Sequence, residues 1–458
     1  MTETTAINTI KLNAGPLMQQ GTFYTAVWGC QMNVYDADRI RDLLSASGYA
    51  EQAEPKGADI IVLITCAVRA KAEDKVFNQL KAWRHQGIIT DDTIIALGGC
   101  VGSELAEKII ELNKDISVVF GPRTAHRLPA LIAAFKAEGR PQVDVESTAL
   151  EKFDALPEQG QRGVSAFVTI MEGCSNKCSY CIVPYTRGEE ESRPLEDILT
   201  EVRWHLDNGV KEIHLLGQNV NSYRGLDKDG NVISFSTLLY AIAAIDGVER
   251  MRFTTSNPME FTDDIVEAIG DLPIIADSVH IPVQSGSDRI LREMRRHYTS
   301  DNYRQLIAKL RAVRPNIYIS SDFIVGFPGE TEDDFKETMR LVDDIRFDQS
   351  FSFIYSKRPG TPAAELDDPV SLAVKKERLY TLQARLEELA AHYSQAMLGT
   401  RQQILIEGIS RKSASELKAR ASNNRIVVLE GDSSMIGQMR DVTITKVMAH
   451  TLKGELCD

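Results

Sequence analysis

"SAFVTIMEGCSNKCSYC", residues 165–181, joins an apolar run to a loop bearing three cysteines, and that order decides how the rest of the chain is read. Residues 165–171, with Phe, Val, Thr and Ile together, read as a buried β-strand. Cys174, Cys178 and Cys181 then follow at C-x3-C-x2-C spacing. Structural zinc and iron–sulfur sites ordinarily take four protein ligands. Between residues 182 and 279 the only further histidines or cysteines are His205 and His214. They fall on an expected helix and an expected strand, where packing accounts for them. Three thiolates on a compact loop hold three irons of a [4Fe–4S] cube and leave the fourth without a protein ligand. An open position marks a reactive metal, so the missing ligand is supplied by a substrate or cofactor.

Downstream, apolar runs recur at 212–217, 250–255, 278–283, 317–326 and 349–355, with helical stretches such as 195–209 and 331–345 between them. Six βα units predict a partial (β/α)6 barrel whose site lies at the C-terminal face of its strands. Upstream, "TFYTAVWGC" (22–30), "ADIIVLITC" (58–66) and "TIIALGGC" (93–100) alternate with helical patterns at 36–48 and 72–87. This predicts an open parallel α/β sheet. Cys30, Cys66 and Cys100 each stand just past a strand end, the edge where such sheets bind ligands. Three thiols should therefore meet there; the plain alternative is three unrelated buried cysteines packed as small hydrophobes. After a charged helix at 373–398, "QQILIEG", "NRIVVLEG" and "DVTITKV" alternate in the manner of a small all-β barrel. The polar stretch 147–163, with Pro and Gly, reads as a linker. The expected division is an N-terminal domain at 21–138, a linker at 139–160, a barrel core at 161–395 and a C-terminal barrel at 396–458. Cys457, beside the terminus, reads as an idle thiol.

The 458 residues are 43% hydrophobic and 26% charged, which fits a globular chain of two or three domains and excludes a disordered or fibrous one. Seven cysteines, an odd number, with no apolar leader at the N-terminus point to metal or catalysis rather than disulfides. No apolar run is long enough to cross a bilayer, so a cytoplasmic protein without membrane contact is expected. A net charge of −13 argues against indiscriminate nucleic-acid binding.

With these motifs in view, the sequence resembles the radical S-adenosylmethionine (SAM) methylthiotransferases. "WGCQMNVYDADR" (28–39), "TCAVRAKAEDKVF" (65–77) and "GGCV" (98–101) are similar to their N-terminal domain. "MEGCSNKCSYCIVPYTRGEEESRP" (171–194), "LLGQNVNSY" (215–223), "RFTTSNP" (252–258), "HIPVQSGSDRIL" (280–291) and "SSDFIVGFPGET" (320–331) are similar to their core. The tail resembles an RNA-binding TRAM domain. The resemblance implies two [4Fe–4S] clusters: one held by Cys174, Cys178 and Cys181, with SAM on its open iron, and one held by Cys30, Cys66 and Cys100. It implies radical cleavage of SAM, hydrogen abstraction from a carbon, sulfur delivered at the second cluster and a methyl group from a second SAM. Ile64, where Asn is usual, and "GCVGS" depart from the family wording without removing a ligand. Gln218 matches the position that holds the methionyl amine. Tyr180 is placed to pack on the adenine of SAM, and Ser256, Gln284 and Asp322 lie near strand ends within reach of SAM or substrate.

"CQMN", "VPYTRGEE" and "GQNVNSY" favour, within the family, action at C2 of an N6-dimethylallyladenosine beside a tRNA anticodon. The alternatives are threonylcarbamoyladenosine in tRNA and an aspartate of a ribosomal protein. A rival of another class is a non-catalytic iron–sulfur or zinc RNA-binding protein. Expected partners are the tRNA anticodon loop and an electron donor such as a flavodoxin or ferredoxin, with the chain a monomer.

Overall fold

A computed structural model of the chain describes residues 20–66, 70–146, 149–154, 160, 163–254 and 256–457. The polar lead before residue 20, residues 147–148, 155–159 and 161–162 of the expected linker, and residue 255 of an expected strand lie outside the described residues.

The N-terminal sheet is parallel throughout. Its spatial order is Tyr49–Glu51, Gly21–Trp28, Ile60–Thr65, Ile94–Gly99, Ile116–Phe120 and Gln142–Asp144. Ile60–Thr65 and Ile94–Gly99 are buried at every residue, as expected of central parallel strands covered on both faces. Ile40, Leu44, Leu128 and Ile132 pack against Val62 and Ile64 on one face. Leu80, Trp83 and Ile109 pack against Ile61, Leu63 and Leu97 on the other. Trp28 pairs with Thr65, and Thr65 with Gly99, so the three central strands stop on one row. That register delivers Cys30, Cys66 and Cys100 to a single edge.

The expected linker needs correction. Its residues include the sixth strand, Gln142–Asp144, and a short helix, Ala149–Asp154. Lys152 on that helix is fully buried. A polar composition did not mean exposure here, because the lysine is neutralised by buried carboxylates.

In the core, Ser165–Thr169, Glu212–Leu216 and Arg250–Phe253 form a parallel sheet. Ser278–His280 pairs with Tyr318–Ser320, and Asp322–Val325 with Phe351–Ile354, again in parallel. Single bridges, Met251 with Ile275 and Gln284 with Phe323, join these pieces into a partial barrel. The expected strand 317–326 is broken at Ser321. Its hydroxyl donates to the Ile281 carbonyl (2.9 Å) and accepts from the Val283 N–H (2.8 Å), which stitches the break to the neighbouring segment.

Helix Leu372–Ala396 leads to a closed five-stranded barrel of Arg401–Ile409, Glu416–Ala421, Ile426–Glu430, Leu452–Leu456 and Met439–Val447, in that spatial order. The barrel is tied to the core through buried polar groups. Arg425 donates to both oxygens of Asp348 at 2.6 Å. Arg252 donates to the carbonyls of Ala421 (2.8 Å) and Ser422 (2.9 Å). No helix among the described residues is long and apolar enough to cross a membrane.

Candidate active site

Cys30 caps the helix Gln31–Ala46, so the first turn's amides face its sulfur. The same turn carries Asn33, fully buried, whose Oδ1 accepts from the Cys30 N–H (3.4 Å) while its Nδ2 donates to the Thr65 carbonyl (3.3 Å). One side chain thereby ties the Cys30 loop to the residue before Cys66. Gly99 makes the third approach possible: at φ +86° a Cβ there would press into the Thr65 carbonyl. The three thiols line one cavity of about 140 Å³ together with Met32, Val183, Arg187 and Gln218.

The second set is held just as firmly. Cys174 donates its N–H to the Gly188 carbonyl at 3.1 Å. Gly173, at φ +85°, stands where a Cβ would meet the Glu189 carbonyl. Between Cys178 and Cys181, the Ser179 N–H donates to Met294 (3.0 Å) and its hydroxyl to the Glu293 carbonyl (2.7 Å), while its own carbonyl accepts from Ala363 (2.8 Å). The loop is therefore pinned from outside as well as by its own turn, in which the Cys181 N–H donates to the Cys178 carbonyl at 3.2 Å.

Each set has an arginine aimed at one sulfur, Arg187 buried and Arg296 half-buried. Arg187 Nε donates to Cys100 Sγ at 3.4 Å, and Arg296 donates to Cys178 Sγ at 3.6 Å. Arg187 belongs to a closed ring of four charges. It donates to Glu172 (2.7 Å) and Asp36 (2.8 Å), and Lys152 donates to the same two carboxylates at 3.0 and 2.7 Å. Burial pulls the Asp36 carboxyl upward, but Lys152 and Arg187 outweigh it and hold it below its ordinary range. The ring joins the first helix, the short helix at 149–154 and the core.

The thiols differ in acidity for the same reasons. A hydrogen bond with Cys66 is the largest influence on Cys30; with Arg187 and the amides of Asn33 and Met32 it overcomes burial and brings the thiol down to about 6. Burial pushes Cys174 up to about 11 and Cys181 up to about 12. Metal would have to displace those two protons on binding.

Among the described residues, no three His, Cys, Asp or Glu side chains stand close enough to hold a single ion. Three thiols spread around a cavity, with a guanidinium at one sulfur, suit a polynuclear cluster instead. His214 packs tilted against Phe167, ring centres 5.4 Å apart, and His205 meets Trp204 edge-on at 5.2 Å. Neither lines the cysteine cavity.

Of the remaining expected residues, Tyr180 packs beside Ile290, Met294, Phe327 and Tyr355, next to the Cys174 loop. Gln284 is buried at φ +70° and its backbone brackets Asp322. Asp322 lies 3.3 Å from His280 Nε2. Ser256 is buried with a hydroxyl that has no partner among the described residues. Gln218 lies with Cys30, Cys66 and Cys100 rather than with the second set alone. Asp36, Lys152, Glu172, Arg187 and Arg296 carry no role in the sequence reading. Asp36, Glu172 and Arg187 do sit inside the quoted motifs, and charged residues within six positions of Cys30, Cys174 and Cys181 were the signal available.

A second cavity, about 400 Å³, runs inside the partial barrel. Its walls include Phe167, His214, Arg252 and His280 from the core and Glu407 and Arg420 from the C-terminal barrel. Gln31 and Thr254 line both cavities, so the two adjoin.

A partial βα barrel with a three-cysteine loop after its first strand defines the radical SAM class, and the Radical SAM superfamily profile matches residues 168–342. Uncharacterized protein family UPF0004 matches residues 22–121, and the TRAM domain matches 395–457. A radical SAM methyltransferase, TsrM from Kitasatospora setae, shares the fold at a TM-score of 0.54 and 14% identity, over 76% of this chain and 74% of that one. Membership brings with it a [4Fe–4S] cluster and SAM. More narrowly, the chain is 52% identical over 94% of its length, and 91% of the relative's, to a tRNA-2-methylthio-N(6)-dimethylallyladenosine synthase of Vibrio vulnificus (strain YJ016). It is 52% identical, at the same coverage, to the synthase of that name from Photorhabdus laumondii subsp. laumondii. The chain belongs to this family of methylthio-transferring enzymes.

Proposed function

We propose that the chain replaces the C2 hydrogen of N6-dimethylallyladenosine in tRNA with a methylthio group. One observation carries this reading. Two three-cysteine sets adjoin, the cavity of the first being walled by Val183 and Arg187 from the helix that follows Cys181. An aromatic C–H is too inert for acid–base chemistry; bound at Cys174, Cys178 and Cys181, a cluster with SAM supplies the one-electron chemistry such a bond needs. Arg296 orients Cys178, and the pinned Ser179 fixes the loop's shape. Cys30, Cys66 and Cys100 would hold a second cluster, which would supply the sulfur for the substrate. The barrel cavity adjoins the one lined by Cys30, Cys66 and Cys100 and would admit a base that has left its stack, a modest demand on an unpaired loop. Exposed Arg401, Arg411, Lys412, Arg440 and Lys446 on the C-terminal barrel suit contact with RNA phosphates. A flavodoxin or ferredoxin would supply electrons, and the chain would act as a monomer.

The test is nucleoside analysis of tRNA from a strain lacking the chain. The 2-methylthio nucleoside should vanish and its N6-dimethylallyl precursor accumulate, with both reversed by the wild-type chain and not by a Cys174→Ala variant. An unchanged nucleoside profile refutes the assignment.

A further inference from the structure

Gln218 follows the strand Glu212–Leu216 and stands between the two cysteine sets. Its Oε1 accepts the Gly173 N–H at 2.5 Å, directly before Cys174. A backbone N–H can only donate, so this bond fixes which end of the amide is oxygen. The nitrogen end is therefore turned elsewhere. It is out of solvent and has no partner among the described residues, although Gln218 lines the cavity of Cys30, Cys66 and Cys100. Gln31 and Thr254, the wall's oxygen-bearing side chains, do not bond it, and Met32, Val183 and Leu216 offer no acceptor of any strength. Buried amide donors left unmet are costly, and a native site keeps one where a ligand completes it. The neighbouring Gly217 holds the chain in place: a Cβ there would come within 2.5 Å of Met171 Sδ.

We propose that Gln218 is a positioning residue for sulfur, its free amide N–H donating to the thiolate-class ligand at the open position beside Cys30, Cys66 and Cys100. The proposal rests on the second-cluster reading given under Proposed function. It concerns the nitrogen end of the amide and leaves the oxygen end open to the methionyl amine of SAM. An amine held on iron has N–H groups to donate and would meet the second lone pair of the Gln218 oxygen, whereas the amide N–H needs an acceptor of its own. No bond is made or broken by Gln218; it holds the sulfur lone pairs in one orientation while the cavity presents the carbon.

The test uses the full chain, reconstituted and reduced without oxygen, with Cys174, Cys178 and Cys181 changed to Ala so that one cluster gives the spectrum. Methanethiol, the probe, is titrated and followed by electron paramagnetic resonance. Gln218→Glu keeps an oxygen for Gly173 and removes the amide donors; Gln218→Met removes both. Each should weaken methanethiol roughly tenfold, the loss of one hydrogen bond, at unchanged iron content. Unchanged methanethiol affinity in both variants overturns the proposal. So does a loss of SAM affinity, in the chain with all six cysteines, unaccompanied by any change toward methanethiol. If the chain carrying Gln218 itself shows no response, the second-cluster reading fails, and the proposal with it.

Discussion

Lys152→Met tests the buried charge ring most directly. The ammonium is wholly out of solvent, 2.7 Å from Asp36 and 3.0 Å from Glu172. Its loss leaves two buried carboxylates facing Arg187 alone. Removing one partner of a buried ion pair costs about 3–5 kcal/mol, chiefly because the other charge is stranded. The stranded carboxyl then has a native pKa above its unfolded value. Such a group binds its proton more readily in the folded state, so the deficit should shrink as pH falls from 8 to 5. Lys152→Met with Glu172→Gln removes one charge of each sign and leaves Asp36 paired with Arg187. That double variant should recover about 2 kcal/mol of the loss, a coupling expected of groups in one network. Guanidinium unfolding of the metal-free chain, followed by circular dichroism, measures these two variants and Glu172→Gln alone. A single-variant cost below about 1 kcal/mol, or additive losses in the double variant, would refute the claim that these four groups act as one neutral unit.

Three further outcomes are expected. In the metal-free chain, Cys30 should be alkylated by iodoacetamide as a thiolate at pH 7 and about tenfold more slowly at pH 5, since lowering pH through about 6 returns its proton; Cys174 and Cys181, pushed far up by burial, should stay unlabelled across that range by mass spectrometry. Gly173→Ala, which forces a Cβ onto the Glu189 carbonyl at φ +85°, should cut reconstituted iron from about eight to about four per chain, with iron at eight counting against the role given to that turn. Arg425→Met should cost about 3–5 kcal/mol and expose the C-terminal barrel to limited proteolysis, because it strands Asp348, and Arg425→Lys should not restore resistance, having no fork to reach both oxygens.

Much of the site was legible before any fold was seen. The C-x3-C-x2-C loop is a local feature, and its thiols lie close because few residues separate them. Cys30, Cys66 and Cys100 are far apart in sequence, yet strand periodicity placed each at a strand end, and parallel pairing did the rest. The short edge strands Tyr49–Glu51 and Gln142–Asp144 escaped notice, because three residues carry no readable alternation. Lys152 escaped for a different reason. A polar stretch reads as solvent-exposed unless its charge partners are known, and Asp36 lies 116 positions away.

The sequence alone determined the class of chemistry, since ligand type and spacing are covalent facts and apolar periodicity dictates which elements form. Only the tertiary structure decided what surrounds the sulfurs. The Arg187 and Arg296 contacts, the four-charge ring, and the orientation of the Gln218 amide each join segments distant in the chain. Hydrogen bonds and ion pairs act over a few ångströms, and folding alone sets which groups come that near.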